Sequence, residues 1–217
     1  METRRFVIFT GLWPRVPAPK NISKTDQEDF IACADGGYAL CKSAGVRPDI
    51  VIGDFDSLTG ELISEIDRLG IECAKHDPEK DDTDTMLCVK YGLAHGYERF
   101  LIIGGIGGDF GHTMANLQAL SFLADMECEA AIETDNELVF ICDRKQESVF
   151  KGRPGSKFSV FSYAERSTGA YVKNAKYELK DAVLTHSYPI GVSNEFINPD
   201  PVNVSVRTGR LLVITDR

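Results

Sequence analysis

Long apolar runs are missing from this chain of 217 residues, and their absence excludes one class of protein. No segment approaches the roughly 20 apolar residues that a membrane-crossing helix needs. The opening "METRRFVIFTGLW" offers only the run from Phe6 to Phe9, too short for the apolar core of a signal peptide. Positive charge is scarce as well. The 24 Lys and Arg face 33 Asp and Glu, for a net charge of -9 and a pI near 5.0, which argues against a nucleic-acid or anionic-membrane partner. Paired cysteines are lacking: Cys33, Cys41, Cys73, Cys88, Cys128 and Cys142 are scattered, with no CxxC. Most lie in apolar runs, where a free thiol behaves as a small hydrophobe, and a reduced, cytoplasmic protein is expected. No serine or cysteine stands in a nucleophile-elbow setting. The histidines His76, His95, His112 and His186 form no metal-ligand spacing with one another.

What is present is ordinary for a globular chain, with 43% hydrophobic and 26% charged residues. The first two-thirds alternates short apolar strand patterns with helical ones. "RFVIFTG", "DFIACADGG", "DIVIGDFDS", "IECAKH" and "ERFLIIGG" read as strands. "GYALCKSAG", "TGELISEIDRLG", "TDTMLCVKYGLAHG" and "HTMANLQALSFLADM" read as helices. Such alternation predicts βαβ units, a mainly parallel sheet with helices on both faces, over residues 1–143. From there on no helical pattern survives, and residues 144–217 are expected to form an antiparallel β-sandwich domain. In it, Pro154-Gly155 suits a type II turn and Thr208-Gly209 a tight hairpin.

Ligands of open parallel sheets bind beyond the carboxyl ends of the strands. Here "ADGG", "GDFDS" and "GGIGGD" all fall at such ends. Asp54 and Asp56, two apart after a strand, are expected to lie on one face, where two like charges need a cation or a shifted pKa to offset their repulsion. Asp35 ends a second strand, and Asp81, Asp82 and Asp84 crowd a helix start for which Thr83 is the N-cap candidate. Capping alone accounts for an acidic helix start. Three acidic βα junctions on one sheet edge point further, to oxygen ligands for magnesium working with substrate phosphates. The amides of the Gly104–Asp109 turn suit a phosphate or ribose, Gly36 and Gly37 allow close approach at a second turn, and His112 follows the first.

In this order, "ADGG", "GDFDS", "KDDTD", a "GG.GG…H…AN" segment and a late "GVSNE" resemble the thiamine pyrophosphokinases over nearly the whole chain. The resemblance implies magnesium-dependent transfer of the pyrophosphoryl group of ATP to the hydroxyl of thiamine, giving thiamine diphosphate and AMP. It implies a homodimer with shared active sites. By residue, it implies Asp54, Asp56 and Asp84 as magnesium ligands and as catalytic carboxylates together with Asp81. It implies Asp35, Gly36, Lys80, Thr83, Gly104, Gly105 and His112 around the nucleotide, and Ser193 and Asn194 at thiamine. Asp56 or Asp81 is the expected proton acceptor. One segment departs: the family pattern GGRxDH reads "GGDFGH" here, with Asp109 in the arginine's place and Gly111 in the aspartate's. Lys80 and Arg99 are the candidate replacement cations. Trp13 is the sole tryptophan and lies far in sequence from the β domain, which leaves Phe196 as candidate stacking partner for thiamine. Two alternatives from other classes are a magnesium-dependent phosphatase using the DxD aspartates and a non-catalytic nucleotide or vitamin sensor.

Overall fold

The computed structural model describes residues 4–11, 28–77, 81–145 and 147–217. The chain divides into two compact units, Met1–Asp135 and Asn136–Arg217.

In the first unit, β1 (Arg5–Thr10), β2 (Phe30–Ala34), β3 (Ile50–Gly53), β4 (Glu72–Lys75), β5 (Arg99–Ile103) and β6 (Glu129–Glu133) run side by side in the order β6, β5, β1, β2, β3, β4. Every pairing among them is parallel. β1 and β3 are buried along nearly their whole lengths, which is why they read as continuous apolar runs rather than alternating ones. The helices are α1 (Gly37–Ser43), α2 (Gly60–Leu69), α3 (Asp84–Ala94) and α4 (Phe110–Asp125). Val7, Phe9, Cys33, Val51 and Ile103 on one sheet face pack with Leu40 of α1 and Ile66 of α2. On the opposite face Gly92 of α3 lies against Phe6 and Phe100. Both faces are therefore covered, as expected.

Helix ends follow local chemistry. The Thr59 hydroxyl accepts from the Leu62 amide at the start of α2, which stops at Gly70 in the left-handed conformation. Thr83 caps α3, accepting from the Met86 amide at 3.2 Å. α4 begins two residues before His112, with Asp109 as its N-cap.

The second unit contains β7 (Glu137–Asp143), β8 (Ser148–Phe150), β9 (Lys157–Ser162), β10 (Arg166–Lys173), β11 (Leu179–Thr185), β12 (Asn194–Glu195), β13 (Val202–Ser205) and β14 (Arg210–Asp216). β12, β9, β14 and β7 adjoin in that order, as do β11, β10, β13 and β8, all antiparallel. Cys142, Phe158, Val160 and Val213 from the first set share a core with Val172, Leu184, Val202 and Val204 from the second, which makes a sandwich. β7 pairs with β14 along its whole length and belongs to the second compact unit. Ser156 closes a turn by donating its amide to the Arg153 carbonyl at 2.9 Å, with Gly155 at φ 87°. That is the type II turn expected at Pro154-Gly155.

Thr208-Gly209 is not a hairpin. β13 pairs with β10 and β8, whereas β14 pairs with β7 and β9, so this turn carries the chain from one layer of the sandwich to the other. Alternation on both sides of a short turn marks two half-buried strands, but it does not say that they pair with each other.

Phe196 is fully buried, with ring centroids 5.0 Å from Phe158 and 5.8 Å from Phe150. A ring in that position packs the sandwich and offers no face to thiamine. The Phe196→Ala variant is expected to lose about 3–5 kcal/mol through cavity formation. Urea denaturation checks this, and an unchanged midpoint would contradict the packing role.

Candidate active site

The carboxyl ends of β2 and β3 supply the acidic residues. β3 ends at Gly53, and a Cβ there would stand 2.8 Å from Asp35 Cβ and 3.2 Å from Asp84 Oδ1. Asp35 and Asp84 thus lean over a backbone position that only glycine leaves open. Asp54 and Asp56 lie beyond the strand, so the pleat does not align them. They are brought together by a turn instead: Phe55 adopts φ 70°, and the Asp56 amide donates to Asp54 Oδ1 at 3.1 Å.

Carboxylate oxygens of Asp35, Asp54 and Asp56 lie within 4.8 Å of one another. Backbone and hydroxyl donors hold them: the Ser57 amide donates to Asp35 Oδ2 at 3.3 Å, and the Ser57 hydroxyl to Asp56 Oδ1 at 3.0 Å. Asp35 is only 4% exposed, and its Oδ1 has no hydrogen-bond partner among the described residues. Burial pushes its carboxyl above the ordinary value of 3.8, and the neighbouring Asp84 pushes the same way against hydrogen bonds from Ser57 and Gly36. Asp84 opens α3 beside this triad. Asp81 is exposed in the bend before the cap, while Asp82 pairs with Lys90 at 2.6 Å. Lys80 and Trp13 lie outside the described residues. The oxygen-only donor set, with one buried oxygen left unpartnered, fits a hard divalent cation such as magnesium.

The glycine segment borders the same edge. Gly36 precedes α1, and a Cβ on Gly37 would overlap the Phe9 carbonyl, so glycine lets α1 start directly against β1. Gly104 and Gly105 take φ 87° and 81°. The buried Asn116 fixes them, its amide donating to the Gly105 carbonyl at 2.9 Å. Asn116 was not singled out among the site candidates, although a polar side chain on the apolar side of a helix is the signal that marks it. Asp109 Oδ1 accepts from the His112 amide at 3.0 Å. The residue in place of the family arginine is therefore a helix cap. Arg99 does not replace that arginine either. It begins β5, at the other strand end from Gly104, and its guanidinium donates to Glu129 at 3.1 Å. The His112 side chain is exposed in the first turn of α4.

In the second unit, Ser193 is exposed at φ 55°, its amide donating to the Ser159 hydroxyl at 3.1 Å. Asn194 is 7% exposed. Its oxygen accepts from the Tyr177 and Glu195 amides, and its amide donates to the Tyr177 carbonyl at 2.8 Å. Its polar atoms thus tie the loop to Tyr177. Beside it lies a cavity of about 70 Å³ bounded by Val160, Tyr177, Ile190 and Val192. Tyr177, Tyr188 and Ile190 are exposed aromatic and aliphatic surface in this region. Tyr177 was not among the sequence candidates, because nothing in its local pattern sets it apart from other tyrosines.

A doubly wound α/β unit with a carboxylate triad and a glycine turn at its strand ends, followed by a β-sandwich, defines an α/β protein whose acidic edge lies where open parallel sheets bind their ligands. The sequence model described as "Thiamin pyrophosphokinase, catalytic domain" matches residues 23–132, and that described as "Thiamin pyrophosphokinase, vitamin B1 binding domain" matches residues 143–211. The chain belongs to the thiamin pyrophosphokinase family. It is 23% identical over 185 residues to the thiamine pyrophosphokinase of Bacillus subtilis, covering 83% of this chain and 86% of that one. The crystal structure of thiamine pyrophosphokinase from Bacillus subtilis superposes with a TM-score of 0.84 at 21% identity, over 98% of this chain and 99% of that one. The yeast thiamin pyrophosphokinase gives 0.79 at 16% identity, over 100% and 87%. At these identities the structural likenesses establish the fold.

Two outcomes follow from the site's local chemistry. Asp109→Ala is expected to destabilise by about 1 kcal/mol through loss of the α4 cap, while Asp109→Asn costs little. Equal urea midpoints for the Ala variant and the parent would remove the capping role. Because the folded pKa of Asp35 is raised above 3.8, the folded state holds that proton more tightly than the unfolded chain. The stability this contributes is complete below about pH 4 and is lost as pH rises through the raised value. Asp35→Asn should therefore melt higher than the parent at pH 7 in chelator, with the gap closing towards pH 4. A gap that widens on acidification would contradict the burial argument.

Proposed function

We propose that this chain is a magnesium-dependent thiamine pyrophosphokinase, which moves the pyrophosphoryl group of ATP to the hydroxyl of thiamine and releases AMP. The observation that carries this reading is the match of the family's catalytic and vitamin-binding domains, in order, to the two parts of the chain. The carboxylate triad supports it on chemical grounds.

In this reading Asp35, Asp54 and Asp56, with Asp84 beside them, hold magnesium, which when bound neutralises charge on the triphosphate and orients it. The thiamine oxygen attacks the β-phosphorus, the bond from that phosphorus to the α–β bridging oxygen breaks, and AMP leaves with that oxygen. The hydroxyl proton passes to a carboxylate of the acidic edge, Asp56 or Asp81. Such chemistry depends on positioning and charge more than on a protein nucleophile. Gly36, Gly104 and Gly105 keep side chains away from the nucleotide, with Thr83 and His112 around it; Lys80, also expected there, lies outside the described residues. Thr83 acts through the α3 cap that sets Asp84 in place. Ser193 offers its hydroxyl to thiamine, and Asn194 holds the loop that presents it. The family reading also carries a homodimer with shared active sites and a cytoplasmic location. No helix among the described residues is long and apolar enough to cross a membrane.

The reading is tested by incubating the protein with ATP, magnesium and thiamine and resolving the products. AMP and thiamine diphosphate in equal amounts are expected, with turnover falling at least about a hundredfold in Asp56→Asn. Magnesium should raise the melting temperature of the parent more than that of this variant. ADP with thiamine monophosphate would overturn the pyrophosphoryl step, and phosphate release without thiamine would indicate a phosphatase.

A further inference from the structure

The strand order reverses between β1 and β5. From β1 the chain steps outward through β2, β3 and β4, then returns to place β5 and β6 on the other side. Ligands of open α/β sheets lie in the crevice at such a reversal, beyond the carboxyl ends. The ends that meet there are Thr10, the last residue of β1, and Gly104, which follows β5. Phe9 is in register with Ile103, so the two are neighbours across the strands.

Thr10 is 2% exposed, and its hydroxyl has no hydrogen-bond partner among the described residues. The large majority of buried side-chain polar atoms are paired, and an unpaired one costs about 1–3 kcal/mol. Valine would fill the same volume without that cost. The hydroxyl lies beside Gly104, where a Cβ would stand 3.1 Å from Thr10 Oγ1. Oγ1 therefore points across the reversal towards the glycine turn, and Gly104 and Gly105 place no side chain over it. The turn does not satisfy the hydroxyl itself: among the described residues Thr10 Oγ1 has no partner, and the Gly105 carbonyl accepts from Asn116. One strand over, Thr10 pairs in register with Ala34, the residue before Asp35, whose Oδ1 is also buried and unpartnered. Two adjacent strand ends thus carry one orphan donor and one orphan acceptor. The acceptor suits a cation, and the donor suits an anionic oxygen carried by the same ligand.

We propose that the Thr10 hydroxyl donates a hydrogen bond to a phosphate oxygen of the bound nucleotide, a contact that rests on the reading of this edge as an ATP site. It supplies a donor on the edge where this chain has Asp109 as a cap in place of an arginine.

Thr10→Val and Thr10→Ser test it, with magnesium and β,γ-methylene ATP as probe in calorimetric titrations and adenosine as the control. Thr10→Val is expected to weaken the analogue about 10- to 100-fold, the range for a hydrogen bond to a charged group. Adenosine binding should stay unchanged, Thr10→Ser should recover most of the loss, and Thr10→Val should melt no lower than the parent without ligand. Unchanged analogue affinity in Thr10→Val overturns the proposal, as does equal weakening of adenosine, which would place the contact away from the phosphates. A lower melting temperature in Thr10→Val overturns it as well, because the hydroxyl would then be holding the fold. A parent that binds the analogue but makes no thiamine diphosphate sinks the substrate reading and leaves Thr10 standing. A parent that makes the product, with a Thr10→Val variant indistinguishable from it, sinks Thr10 alone. Failure of the parent to bind the analogue sinks both.

Discussion

Three carboxylates within 4.8 Å repel one another, and the carboxyl edge of the first unit is arranged around holding them there. The fully buried β3 fixes where the chain emerges, and Gly53 leaves room for Asp35 and Asp84 to lean over it. Phe55 in the left-handed region turns Asp54 and Asp56 to one side, and the amides of Asp56 and Ser57 each donate to a carboxylate. These local donors offset part of the repulsion, and in the proposed reading a magnesium ion would offset the rest. Asp35, the most buried of the three, has its pKa raised by that burial, with Asp84 pushing the same way.

Glycine and capping chemistry set the other half of the edge. The GGDFGH segment keeps the turn glycines and exchanges the arginine for Asp109, which caps α4. The exchange removes a cation and adds helix stability at the same residue. Backbone geometry, through Gly104, Gly105 and the Asn116 clamp, then determines what the turn can receive. In the second unit Asn194 does the same for its loop. All the hydrogen bonds recorded for its side chain go to backbone, which leaves Ser193 and the ring of Tyr177 on the surface.

The α/β unit was legible because its central strands, such as β1 and β3, are continuous apolar runs and its helices α2 and α3 are bounded by Thr59, Gly70 and Thr83. These are signals with a period and a cap. The sandwich was legible as alternation, but its pairing was not. Thr208-Gly209 joins strands of different layers, and register between distant segments leaves no local trace. For the same reason Phe196 read as a possible binding aromatic, and Arg99 as a spare cation. One is packed beneath Phe150 and Phe158, and the other is committed to Glu129 at the far end of β5.

By itself the sequence determined which residue types stand at the strand ends and helix starts of this edge: carboxylates at Asp35, Asp54, Asp56 and Asp84, and glycines at Gly36 and Gly104. That follows from composition at turns, which periodicity locates. Only the tertiary structure decided which of them meet. It joined Asp35 to Asp54 and Asp56, set Asp84 alongside, placed Asp81 out in solvent, and left the Thr10 hydroxyl facing the β1–β5 reversal. The physical reason is that strand order, unlike strand identity, depends on long-range packing of faces that look alike in sequence, so distances between loops far apart in the chain are fixed only when the sheet is assembled.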